Sequence, residues 1–217
     1  MMDTDAAQTD EAMRDGLGID SLLALGGVFG LLGWGLTQLL ANRPGFALDA
    51  VGVEGTVVVV GLWAAATVAL VGLGLLAGAR TVRYSPLLWL WVVLVAAALA
   101  LDVAVVYGVV SSPELARTLL WTPWPVVLAL GYLVTGVVAT HRARAAYLVG
   151  SLAAGLVLLA AVLFPPTVPG WAFAATGVVH AVPLLVDARL GGGTDEQPVG
   201  TGYEFRDVPA AGTEEEP

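Results

Sequence analysis

Six long apolar runs divide this chain, at residues 19–41, 51–77, 87–110, 119–140, 145–164 and 170–186. Crossing the hydrocarbon core of a bilayer takes about 20 apolar residues in a helix. Every run reaches the required range, the last at its short end. None alternates with the period of two that a barrel strand needs. Helices are then what remains to satisfy backbone polar groups in lipid. A soluble bundle with an apolar core fits poorly with a chain that is 58% hydrophobic and 12% charged. The sequence predicts an all-α polytopic membrane protein, a bundle of six transmembrane helices over residues 19–187. An acidic N-terminal tail at 1–18 and a disordered acidic tail at 188–217 flank it.

The basic residues give an orientation. There is no lysine, and all nine basic residues are arginine. With six spans, Arg14, Arg80, Arg83, Arg142, Arg144, Arg189 and Arg206 fall on one side, and Arg43 and Arg117 on the other. Short cytoplasmic loops carry the arginine excess, so both termini are expected in the cytoplasm and the protein in the cell membrane. The N-terminal 18 residues hold five acids and one arginine. A cleavable signal peptide wants a basic start, so none is read here. Trp121, Trp124, Phe164 and Trp171 are expected near the outer interface and Tyr84 near the inner one. Trp34, Trp63, Trp89 and Trp91 are expected to be packing residues within the spans.

The net charge of −9 resides in the tails. It argues against nucleic-acid binding, which needs a basic patch. Without cysteine there is no disulfide, thiolate metal site or cysteine nucleophile. Acidic tails, absent lysine and spans rich in Ala, Val, Gly and Leu resemble the membrane proteins of salt-loving archaea, where high surface charge suits strong brine. A GC-rich bacterial genome gives the same arginine bias. The resemblance covers composition and carries no functional residue.

Small residues four apart let helix backbones approach closely. Gly26 with Gly30, and Gly74 with Gly78, form such pairs. They are expected to pack helices within the monomer; the sharper alternative is a face for a homo-oligomer or a partner membrane subunit. Pro183, inside the sixth run, frees the carbonyl of Val179 and is expected to kink that helix. The segment 202–208, with Tyr203 and Phe205, is an aromatic cluster that could dock on a partner. No inverted repeat of transporter type is visible between the halves.

Asp102 is the first candidate for chemistry. A charge near the bilayer centre costs about 2.5–3.5 kcal/mol on insertion scales and marks ion paths, proton relays or counter-ions. The plainer reading is a protonated, hydrogen-bonded carboxyl that locks two helices. His180 lies near the centre of the sixth span. Thr176, His180 and Asp187 share one helix face and form a candidate path for protons toward the cytoplasm. By depth Asp102 lies outward of His180 by ~8 Å at ~1.5 Å per residue. Gln38, Glu54 and Arg43 cluster near the outer surface, either as a Glu54–Arg43 ion pair or as an entry vestibule. His141 is read as a solvated interface residue.

Absences narrow the functions. No HExxH or His-rich pattern offers a metal site, no lysine is present for a retinal Schiff base, and His141 and His180 differ too much in depth to share a haem iron. Short loops leave no room for an extramembrane catalytic domain. The expectation is a non-enzymatic protein with no cofactor, a small accessory or structural subunit of a larger membrane complex, respiratory or transport-related. The alternative is a small transporter or proton/ion-conducting protein using Asp102 and His180. An intramembrane enzyme acting on lipid comes third.

Overall fold

The computed structural model describes residues 19–43, 45–76, 84–139, 143–164 and 168–191, and every element among them is helical. The helices are α1 (Ile19–Asn42), α2 (Gly45–Val51), α3 (Gly55–Leu76), α4 (Pro86–Val106), α5 (Pro113–Leu119), α6 (Pro123–Val138), α7 (Arg144–Leu163) and α8 (Val168–Gly191). Six spans are long and apolar enough to cross a membrane, the pattern of a multi-pass membrane protein, with α5 and α6 together making the fourth. Residues 1–18 and 192–217, together with Gly78 and His141, lie outside the described residues.

Two elements differ from the sequence expectation. Residues 42–50 and 111–118 read as loops, yet α2 and α5 form there. For α5 the local cause is visible. Ser112 caps the helix by accepting the Leu115 N–H at 3.3 Å, Pro113 stands in the first turn, and Glu114 and Arg117 occupy the ends that the helix dipole favours. The third run ends early, at Val106, because Gly108 takes a positive φ of 70° just past the helix. The sixth helix runs longer than expected, through Asp187 and Arg189 to Gly191.

Packing follows chain order around a closed ring: α1 packs on α3, α3 on α4, α4 on α6, α6 on α7, α7 on α8, and α8 back on α1. Neighbours run antiparallel. On α1 and α8, Gly27 faces Leu185, Gly30 faces His180, and Trp34 faces Gly177. The fourth span is the most enclosed, with half of its most apolar stretch buried against 11% of the third. It also reaches α8 across the ring. The interior is therefore organised around α6, and three clusters of buried side chains meet on it or just before it.

Candidate functional site

The interior is built from tryptophans. Trp34 of α1, Trp63 of α3 and Trp124 of α6 form a mutual triangle, with ring centroids 4.6 Å (34–63), 5.4 Å (34–124) and 5.3 Å (63–124) apart. Phe173 of α8 stacks on Trp34 at 6.1 Å, and the His180 ring lies 6.4 Å from Trp63. All three indoles are buried. An indole N–H taken into an apolar interior needs an acceptor, and each finds one on another helix or one turn along its neighbour.

Asp102 is 4% exposed. Its Oδ2 accepts the Trp124 indole N–H at 2.9 Å. Its Oδ1 has no hydrogen-bond partner among the described residues. His180 accepts the Trp34 indole N–H at Nδ1, 3.2 Å away. A ring nitrogen that accepts carries no proton, so this bond requires a bare Nδ1. The two candidates therefore bond to different members of one tryptophan cluster. Between them stand the indoles of Trp124 and Trp34, and among the described residues no hydrogen bond joins Asp102 to His180.

The other members of the α8 stripe are each committed. Thr176 is buried and donates to the carbonyl of Ala172 in its own helix at 2.8 Å. Asp187 accepts the Tyr147 hydroxyl at 2.6 Å, which ties α8 to α7. Pro183 is fully buried inside α8, and the carbonyl next to the one it frees, that of His180, takes a bond from outside the helix. The Tyr132 hydroxyl donates to it at 2.5 Å and so bonds α6 to the proline turn. Elsewhere, Trp63 donates to Thr37 and Trp91 to Thr135, both at 3.2 Å. Thr37 and Thr135 in turn donate to the carbonyls of Gly33 and Gly131.

Glu54 and Arg43 are both exposed, and no ion pair joins them among the described residues. Gln38 reaches across to α8, where its Oε1 accepts the Ala174 backbone N–H at 3.1 Å. The glycine pattern is shifted by one residue. Gly27 and Gly30, not Gly26 and Gly30, carry the close approach to α8. A Cβ at 27 would lie 2.8 Å from Leu185, and one at 30 would lie 2.6 Å from the His180 ring, whereas one at 26 meets Leu184 at an ordinary 3.5 Å. Gly74 meets nothing within 4 Å, and its partner Gly78 is outside the described residues. Trp121 and Trp124, beside the start of the fourth span's long helix, are buried within the bundle, while Trp89, expected to pack within its span, is 47% exposed.

Sequence reading singled out Asp102 and His180 but missed the tryptophans and tyrosines that engage them. One signal was available. Seven tryptophans in a chain of this composition require seven acceptors, and apolar spans supply few besides Asp, His and Thr. Trp121 is the exception that remains, its buried N–H without a partner among the described residues. No group of three His, Asp or Glu placed to hold a metal occurs among them. No protein-family model, curated protein or solved structure matches the chain.

Proposed function

We propose that this is a non-catalytic integral protein of the cell membrane, with both termini in the cytoplasm, that serves as a small accessory or structural subunit of a larger membrane complex, respiratory or transport-related. The observation that carries the reading is the donor-only character of the groups holding Asp102 and His180. An indole donates its N–H and accepts nothing. A proton arriving at Asp102 has no accepting atom on Trp124 or Trp34 through which to continue. The intramembrane polar groups act instead as fasteners: Asp102 joins α4 to α6, His180 joins α8 to α1, and Asp187 joins α8 to α7. Open small-residue positions support a partner-facing role. Gly35 of α1, and Gly61 and Gly72 of α3, have nothing within 4 Å of where a side chain would begin. The acidic composition suits a high-salt source.

Co-purification tests this. Extraction in mild detergent at high salt, followed by mass spectrometry, should return a stoichiometric membrane companion. A partner-free preparation whose proton or ion flux in vesicles is abolished by Asp102→Asn would overturn the proposal in favour of transport.

A further inference from the structure

At the end of the bundle where α1 begins and α8 ends, a groove of about 710 Å³ runs between the two helices. Its walls are Asp20, Ser21 and Ala24 of α1, and Val182, Leu185 and Arg189 of α8, among others. Val182 is 50% exposed, so the groove opens outward from the bundle and not into the core. The polar residues gather at its end, and the apolar floor continues from Arg189 to Val182, ~10 Å along the helix at ~1.5 Å per residue. Neither Asp20 nor Arg189 has an ion pair or hydrogen-bond partner among the described residues.

We propose that this groove binds one phospholipid, its phosphate on Arg189, its head-group O–H or N–H donors on Asp20 and Ser21, and an acyl chain along Ala24, Leu185 and Val182. The inference rests on the reading of the six helices as membrane spans, which places the helix ends at head-group depth and the floor in the hydrocarbon. Charge complementarity selects the occupant. A guanidinium offers a planar fork of donors that matches a phosphodiester. Asp20 refines the choice. A carboxylate beside the phosphate site repels a bare anion but accepts from a hydroxyl or ammonium, so glycerol and ethanolamine head groups fit. Choline, with no O–H or N–H to give, meets Asp20 by charge alone and fits less well.

The test is lipid retention by the full-length protein in detergent, read by native mass spectrometry after adding palmitoyl-oleoyl phosphatidylglycerol, phosphatidylethanolamine or phosphatidylcholine. The wild type should keep one glycerol or ethanolamine lipid in preference to the choline lipid. Arg189→Ala should cut retention of both by about ten- to a hundredfold, the size of one charge-assisted contact. Asp20→Ala should erase the preference over choline. Near-ultraviolet circular dichroism of the tryptophans confirms that each variant is folded. Equal retention of all three lipids by wild type, or unchanged retention by folded Arg189→Ala, would overturn the proposal. So would increased retention on deleting residues 192–217, which would make the chain itself the occupant. Carbonate extraction of membranes separates the two readings: release of the protein into the aqueous phase would refute the spans, while failure of lipid retention in an integral protein refutes only the groove.

Discussion

Gly30→Ala is the perturbation with the most to say about what holds this bundle closed. The added methyl would lie 2.6 Å from His180 Cδ2 and 2.8 Å from both Cγ and Nε2. Carbon atoms in contact sit ~3.5–4.0 Å apart, so the ring must retreat by about 1 Å. Gly30 and Trp34 are one turn apart on α1, and a retreat from one is a retreat from the other. The Trp34–His180 hydrogen bond, already 3.2 Å long, does not survive that displacement. Helix α8 cannot roll to accommodate it, because a Cβ at Gly177 would already lie 2.8 Å from the Trp34 side chain. Overpacking of this kind costs ~1–3 kcal/mol, and the lost bond adds ~0.5–1.5 kcal/mol. Alanine's better helix propensity returns ~1 kcal/mol. The net loss is ~2 kcal/mol, a fall of about 4–8 °C in melting midpoint for a chain of this size. The assay is thermal unfolding in detergent followed by tryptophan fluorescence, with Gly35→Ala as the control. Gly35 is exposed on the same helix with nothing within 4 Å, so its alanine variant should match or exceed wild type. If Gly30→Ala melts as high as Gly35→Ala, the steric account of the α1–α8 seam is wrong.

Three further outcomes follow from the interior bonds. Trp124→Phe and Trp121→Phe remove the same volume from buried sites, but only the first strips a hydrogen bond from Asp102. Trp124→Phe should therefore be the less stable by ~1–3 kcal/mol in chemical unfolding, and equal losses would deny the bond any value. Asp102→Asn keeps an oxygen for Trp124 but sets an NH2 where Oδ1 has no partner, and should cost ~1–3 kcal/mol in the same assay; an unchanged stability would mean that this side of the carboxyl is not dry. A Cβ at Gly150 would press to 2.5 Å of Pro183. Gly150→Ala should destabilise the wild type by ~1–3 kcal/mol and cost measurably less in a Pro183→Ala background, a coupling that a double-mutant cycle reads directly.

The six spans were legible because span length and apolar content are local properties, and the ends of the runs differ from the helices by a few residues. The seam glycines were not. Gly26 and Gly30 match a four-residue spacing, but the buried face of α1 runs through Gly27, Gly30, Trp34 and Thr37. That alternation of three and four is the stripe of helices crossing at a shallow angle, and a crossing angle belongs to two helices at once. Asp102 and His180 stood out because polar atoms in apolar spans are costly. Their partners did not, because Trp34 and Trp124 look like any other apolar residue until the ring closes. The α5 helix is a different case: Ser112, Pro113, Glu114 and Arg117 spell a cap, a start and an end, local signals that outweigh the segment's position between two long spans.

Closure of the ring has a consequence for how the chain is made. The seam between α1 and α8 joins the first span to the last, and the Trp34–His180 bond links residues 146 positions apart. A ribosome delivers α1 before α8, with four spans made between them. Until then Gly27, Gly30 and the indole N–H of Trp34 have no partner within the chain, and the bundle stands open along one side. Closure of this seam thus waits until α8 has been made, and until then α1 carries an unmet indole donor and a bare glycine track.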